Sequence, residues 1–160
     1  MSTVVFIKER VTNERRCSCL PSNVKMLTKL GMHVEVESGI GDTLHISDEA
    51  YADAGAKVIK DKTQLLAHAD FILSIHPLSK EDLQISDVKT CSISFLDPFN
   101  SQEHVRWLKT TGRAALCMEL IPRSSRCQKM DALSSQASLA GYVMVSQAMM
   151  TLPKVFPMMM

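Results

Sequence analysis

The stretch KVIKDKTQLLAHADFILSIHP, residues 57–77, places a helical segment between two runs of strand-forming residues. KVI (57–59) is short and β-prone, DKTQLLAHA (61–69) is helical, and FILSI (71–75) is apolar on both of its faces before Pro77 ends it. A strand that is apolar on both faces is typical of a parallel sheet covered by helices on each side. This stretch therefore predicts a β-α-β unit inside an α/β domain.

The same alternation continues in both directions. Further strands are predicted at TVVFI (3–7), HVEV (33–36), SISF (92–95) and AALCM (114–118). Helices are predicted from an N-cap at Ser22, across SDEAYADAG (47–55) with Ser47 as its cap, and across SQEHVRWLKTTG (101–112) with Ser101 as its cap. Six alternations predict a doubly wound, mostly parallel sheet with helices on both faces, of the Rossmann-like or flavodoxin-like kind.

Length and charge narrow the possible partners. The chain has 160 residues, the size of one domain, and 18 basic against 17 acidic residues give a net charge of +1. This balance argues against nucleic acid or an anionic membrane as the main partner. Five cysteines and an N-terminus without a signal-peptide pattern indicate free thiols in a reducing, cytoplasmic compartment.

The segment IPRSSRCQKMDALSSQASLAGY, residues 121–142, combines a charged front with an uncharged remainder, and no charge follows until Lys154. Several serines interrupt the uncharged part, so we expect no direct membrane insertion. We expect a long apolar helix over residues 131–150 instead. A helix that is apolar nearly all round needs cover on several sides, more than one small domain supplies.

The charged front lies where ligands of open α/β sheets bind, beyond the carboxyl end of a strand. Arg123 and Arg126 could hold a carbonyl or phosphate oxygen, or could pair with Glu119 or Asp131. Gln128 and Asp131, spaced to share one helix face, could bind sugar hydroxyls or an amide. Asp131 could equally serve as a helix cap.

Other motifs are weaker. Gly39 to Gly41 give only two glycines of a dinucleotide fingerprint, and a plain loop is favoured. Cys17 and Cys19 lack a second pair of zinc ligands, so no metal site is predicted. His76, at the end of the fourth predicted strand, is a candidate acid or base, although a hydrogen-bonded structural histidine is favoured. No residue is predicted to be catalytic.

The motifs together resemble one family. KERVTNERR (8–16), ESGIGD (37–42), DEAYADAGAKV (48–58), ADFIL (69–73) and SFLDPFN (94–100), with the 121–142 segment and the closing FPMMM, resemble the N-terminal domain shared by alanine dehydrogenase and the alpha subunit of proton-translocating NAD(P) transhydrogenase. The resemblance runs from residue 3 to residue 160. It implies one such domain over residues 1–160, with the NAD-binding Rossmann domain that follows it in the family absent from this chain.

The resemblance implies an NAD(H)-binding loop formed by Arg123, Ser124, Ser125, Arg126, Gln128, Asp131 and Ser134. It implies hydride transfer between NAD(H) and NADP(H) coupled to proton translocation, with NADP(H) on a separate component. It further implies a homodimer, membrane and NADP-binding partner components, and a peripheral position on the cytoplasmic face of the bacterial inner membrane. Without the Rossmann domain, we expect the chain alone to be inactive.

Alanine dehydrogenase, in contrast, uses an arginine, a lysine and a histidine around its substrate. Arg16 fits the arginine, but Ser74 stands where the lysine is expected, and residues 94–96 contain no histidine. An alanine-dehydrogenase-like fragment is therefore disfavoured. A truncated, non-enzymatic α/β interaction module stays open as the alternative.

Overall fold

The computed structural model describes residues 2–152, and within them the chain forms one sheet of six parallel strands. The strands are β1 (Thr3–Phe6), β2 (His33–Glu37), β3 (Lys57–Ile59), β4 (Phe71–Leu73), β5 (Cys91–Ser94) and β6 (Ala114–Cys117). Their order in the sheet is β3-β2-β1-β4-β5-β6, which is the Rossmann order and not the flavodoxin order. The predicted doubly wound α/β fold is confirmed.

Six α-helices connect and follow the strands in the described range. They are α1 (Pro21–Lys29), α2 (Asp48–Asp53), α3 (Lys62–Ala67), α4 (Lys80–Ile85), α5 (Gln102–Thr111) and α6 (Ala132–Thr151). Short 3₁₀ turns lie at Asp42–Leu44, Met118–Leu120 and Gln128–Met130.

Two details differ from the sequence-based expectation. Helix α1 begins at Pro21 with Leu20 as its N-cap, so the prediction of Ser22 as the cap was wrong. Proline suits the first helical position, where no backbone N–H is needed, and Asn23 closes the cap by accepting a 2.9 Å hydrogen bond from the Leu20 N–H. Helix α4 was not predicted; its cap is Ser79, whose hydroxyl accepts from the Asp82 N–H at 3.1 Å.

Helices cover both faces of the sheet, as expected. Val4 and Phe6 of β1 point to the face where α1 and α2 pack, and Val5 points to the face where α3, α4 and α5 pack. The first core contains Val24, Val34, Val36 and Tyr51, and the second contains Leu65, Leu66, Ile72, Leu83 and Leu108. Ile72 of β4 belongs to the second core, while Phe71 and Leu73 pack against the first, so FILSI carries apolar residues on both of its faces.

By internal contacts the chain divides into two units, residues 1–117 and the segment from Met118 onward. The assignment of residues 1–160 to a single domain stays a prediction. In the second unit, the 3₁₀ turn at Met118–Leu120 contacts α6, a helix of 20 residues without a buried side chain. No helix within residues 2–152 combines the length and the apolar composition that a membrane crossing requires.

Candidate functional site

The predicted cofactor loop, residues 121–131, is a series of tight turns. The Ser124 N–H donates to the Pro122 carbonyl and the Cys127 N–H to the Ser124 carbonyl, both at 2.9 Å, and the Met130 N–H donates to the Cys127 carbonyl at 2.8 Å. These bonds tie the backbone of the loop to itself, so its side chains project outward. Arg123, Arg126 and Gln128 are exposed to solvent.

Asp131 caps helix α6. Its Oδ1 accepts a 2.9 Å hydrogen bond from the Ser134 N–H, and its Oδ2 accepts a 2.6 Å bond from the Ser134 hydroxyl. These two bonds lower the pKa of Asp131 below its usual 3.8, and the positive charge of Arg123 acts in the same direction. Asp131 therefore remains a carboxylate, and its role as a helix cap is what the structure shows.

Gln128 and Asp131 do not lie in one α-helix. Gln128 begins the 3₁₀ turn at Gln128–Met130, and α6 begins only at Ala132, after Asp131. Of the seven predicted residues, Asp131 is hydrogen-bonded to Ser134, and the positive charge of Arg123 contributes to lowering the pKa of Asp131. The side chains of Ser125, Arg126 and Gln128 form no hydrogen bond or ion pair with Asp131 in the described part of the chain.

A second group of polar side chains lies at the carboxyl ends of β1 and β4, where the connections leave the sheet in opposite directions. Glu9 accepts hydrogen bonds from the Ile75 N–H at 2.5 Å and from the His76 N–H at 3.4 Å, and its Oε2 lies 3.1 Å from the His76 Nδ1. Such a switch point is the usual ligand crevice of an open α/β sheet. His76 is thus a hydrogen-bonded residue that joins two connecting segments.

Glu14 lies on the other side of His76. Its Oε1 accepts a hydrogen bond from the Arg16 Nε at 2.8 Å, and its Oε2 accepts one from the Arg16 Nη2 at 2.5 Å. The same Oε2 lies 3.7 Å from the His76 Nε2. The hydrogen bonds from Arg16 lower the pKa of Glu14 to about 2. Sequence reasoning missed Glu9 and Glu14, although both belong to a charged run that directly follows a buried strand.

A cavity of about 280 Å³ adjoins this group. Its lining comes from the segment after β1, the segment after β4, and the first turns of α3 and α4: Ile7, Lys8, Glu9, Arg10, Val11, Lys62, His76, Pro77, Leu78, Ser79 and Asp82. Lys62 pairs with Asp82 at 2.6 Å, and Lys8 pairs with Asp42 at 2.7 Å. The cavity walls therefore carry charges that are largely compensated in pairs.

The glycines of the GIG motif form a plain loop. The Gly39 N–H donates to Asp48 Oδ1 at 2.8 Å, and the Ile40 N–H donates to the Glu37 carbonyl at 3.1 Å. The loop continues into the 3₁₀ turn at Asp42–Leu44, where a phosphate-binding motif would begin an α-helix. Because these N–H groups are already bonded within the loop, they do not form a phosphate cradle.

The structure also gives the state of the cysteines and the positions of potential metal ligands. All five cysteines are free thiols. The Cys17 Sγ lies 3.1 Å from the Cys19 carbonyl oxygen, so its nearest polar contact is a backbone atom. Within residues 2–152, no three histidine, cysteine or acidic side chains gather in an arrangement that would hold a metal ion.

Comparison with known sequences identifies the family. The family model described as alanine dehydrogenase/PNT, N-terminal domain, matches residues 5–140. An NAD(P) transhydrogenase subunit alpha protein of Rickettsia prowazekii is 34% identical over 160 residues, covering 98% of this chain and 42% of that protein. NAD(P) transhydrogenase subunit alpha of Cereibacter sphaeroides is 36% identical over 141 residues, covering 88% of this chain and 27% of that protein.

Solved structures of a transhydrogenase and of an alanine dehydrogenase are similar to this chain. A transhydrogenase from Sinorhizobium meliloti superposes with a TM-score of 0.89 at 36% identity, covering 99% of this chain and 47% of that chain. An L-alanine dehydrogenase superposes with a TM-score of 0.71 at 20% identity, which shows a shared fold. The chain thus spans less than half the length of the relatives it matches. It belongs to the alanine dehydrogenase/PNT N-terminal domain family.

Proposed function

We propose that this chain is part of the NAD(H)-binding component of a proton-translocating NAD(P) transhydrogenase, which transfers hydride between NAD(H) and NADP(H). The observation that carries the proposal is the identity of 34% to an NAD(P) transhydrogenase subunit alpha protein across 98% of this chain. The structural agreement with a solved transhydrogenase over 99% of the chain supports it. Transfer of hydride and its coupling to proton movement are activities of the whole assembly.

The loop of Arg123, Ser124, Ser125, Arg126, Gln128, Asp131 and Ser134 is the proposed contact for NAD(H). Its chemistry fits a nucleotide: exposed guanidinium and amide groups supply donors, and the Asp131 carboxylate, with its pKa held below the usual value, supplies an acceptor. Each Asp131 oxygen has a second lone pair beyond its bond to Ser134, so a ribose hydroxyl can donate to it while the helix stays capped. Ser134 thereby fixes the orientation of the carboxylate.

No catalytic side chain is required in this proposal. When bound, NAD(H) and NADP(H) are themselves the hydride donor and acceptor, and the protein supplies binding and orientation. The residues of this chain contribute position and charge. The chain alone is therefore expected to bind NAD(H) weakly and to show no turnover.

Helix α6 supports the proposed partners. Its exposed apolar side chains include Tyr142 at 74%, Met144 at 70% and Met150 at 89% exposure. A monomer rarely leaves such a surface in water. We propose that a second copy of the chain and a following Rossmann domain cover it, as parts of an assembly with membrane and NADP-binding components at the cytoplasmic face of the bacterial inner membrane.

An alanine-dehydrogenase activity is not supported by the geometry. The Ser74 hydroxyl donates to the His76 carbonyl at 2.6 Å, and the Arg16 guanidinium already holds the Glu14 carboxylate. A keto acid would have to displace Glu14 and would meet Ser74 at the position where the lysine is expected. A non-enzymatic interaction module remains the alternative, and the following experiment separates it from the proposal.

The test is a titration of the isolated chain with NADH and with NADPH, followed residue by residue by NMR. We expect NADH to shift the amide signals of residues 121–135 with millimolar affinity and NADPH to have a smaller effect. The Asp131→Asn variant should weaken binding, whereas Lys129→Ala, on the same loop but outside the proposed set, should not. Absence of shifts in this loop would favour the interaction module, and micromolar affinity would contradict the expected weakness of the chain alone.

A further inference from the structure

We propose that His76 is a proton-dependent link between the two segments that border the switch point of the sheet. The first segment, residues 7–16, follows β1, and the second, residues 74–77, follows β4. Strands β1 and β4 are neighbours in the sheet, so the two segments begin next to each other before they diverge. His76 contacts a carboxylate of the first segment through each of its ring nitrogens.

The contact with Glu9 persists in either protonation state of His76. The Glu9 side chain is 6% exposed, and its Oε2 lies 3.1 Å from the His76 Nδ1. A carboxylate only accepts hydrogen bonds, so the hydrogen of a neutral imidazole resides on Nδ1 here. The backbone bonds from Ile75 and His76 to Glu9 anchor this carboxylate independently of pH.

The contact with Glu14 depends on the proton. The Glu14 side chain is 8% exposed, and its Oε2 lies 3.7 Å from the His76 Nε2. With the hydrogen on Nδ1, a neutral ring turns a lone pair toward a carboxylate, which gives repulsion and no bond. Protonation at Nε2 converts the same contact into an ion pair in a poorly hydrated position. The second link therefore closes only when the imidazole is charged.

The charged groups around His76 are themselves paired. Hydrogen bonds from the guanidinium and the backbone N–H of Arg16 keep Glu14 ionised, with its pKa at about 2. On the cavity side, Lys62 faces Asp82, Lys8 faces Asp42, and Arg10 faces the buried Glu37. The His76 side chain is 35% exposed, so protons reach it from solvent. Histidine is the side chain that normally titrates between about pH 5 and pH 8.

The consequence is a change in how firmly residues 7–16 are held. At acid pH, Arg16, Glu14, His76 and Glu9 form one continuous chain of contacts across the switch point. When the imidazole loses its proton, the contact between His76 and Glu14 is lost while the contacts of Glu9 remain. The part of residues 7–16 around Glu14 thus becomes more mobile.

The first test follows the imidazole signals of the full chain by NMR as the pH is raised. We expect His76 to hold its proton less tightly in Glu14→Gln than in the wild type, because the variant removes the negative charge beside Nε2. His68, an exposed histidine outside the cluster, is the internal control and should keep its midpoint. Equal His76 midpoints in the wild type and the variant would overturn the proposal.

The second test needs no change to Glu14. Amide hydrogen exchange of residues 9–16, corrected for the intrinsic effect of pH, is compared at about pH 5.5 and about pH 8 in the wild type and in His76→Gln. We expect protection in the wild type to fall severalfold at the higher pH and protection in His76→Gln to stay constant. Protection that is independent of pH in the wild type, or that falls equally in His76→Gln, would show that His76 does not link the segments.

Discussion

Replacing Ile72 by alanine tests how tightly helices α3, α4 and α5 pack against the sheet. Ile72 lies in the central strand β4 with 0% of its surface exposed, within the core formed with α3, α4 and α5. Leu73, the next residue, points to the opposite face and is only partly buried. The two positions therefore compare a fully covered face with a less covered one, one residue apart in the same strand.

The expected cost follows from the atoms removed. The substitution deletes three carbons at about 0.8 kcal/mol each, or about 2.4 kcal/mol of transfer free energy. The cavity that remains raises the loss to about 3–4 kcal/mol of the free energy of unfolding. For a chain of this size, each kcal/mol lowers Tm by roughly 2–4 °C, so we expect a fall of roughly 6–16 °C.

Urea denaturation and thermal melting followed by circular dichroism measure this cost. Ile72→Val, which removes one carbon, should cost about 1 kcal/mol. Leu73→Ala should cost less than Ile72→Ala, and Leu30→Ala, at a position 72% exposed, should stay within about 0.5 kcal/mol of the wild type. The reasoning fails if Ile72→Ala costs under about 1 kcal/mol, or no more than Leu73→Ala.

Three further outcomes follow from buried or paired groups. Tyr51→Phe removes the hydroxyl that donates to the Cys19 carbonyl at 2.9 Å, so urea denaturation should show a loss of about 1 kcal/mol, and an unchanged stability would contradict the bond. The Cys19 thiol is 1% exposed and burial raises its pKa to about 12, so peptide mapping should find it alkylated far more slowly in the native than in the denatured chain. Glu14 has its pKa lowered from 4.5 to about 2, so the stability it contributes is present above about pH 4.5 and is lost as the pH falls toward 2. Glu14→Gln should remove that part of the acid dependence, and an identical pH profile in both proteins would refute the pairing with Arg16.

Much of the secondary structure was predictable because it rests on local signals. Apolar runs located all six strands, and Ser47, Ser101 and Gly112 were correctly placed at helix ends. Helix α4 was missed because KEDLQI has only one buried residue, Leu83, and thus no apolar periodicity. Gln128 was expected to share an α-helix with Asp131 because a 3₁₀ turn and an α-helix have similar local composition.

The candidate site was only partly predictable. The cap at Asp131 was one of two open alternatives, and only coordinates show both of its oxygens on Ser134. The group of Glu9, Glu14 and His76 was not predicted, since His76 is more than sixty positions away from both glutamates along the chain. Their proximity arises from the pairing of β1 with β4, which no local pattern reports.

The amino-acid sequence by itself determined the alternation of strands and helices, the parallel character of the sheet and the uncharged surface of α6, because backbone propensity and apolar periodicity act over a few residues. The tertiary structure decided the Rossmann strand order, the chain of contacts from Arg16 through His76 to Glu9, and the use of the Asp131 carboxylate as a helix cap. The reason is physical: hydrogen bonds and ion pairs depend on ångström distances between side chains, and those distances are set when distant strands pair.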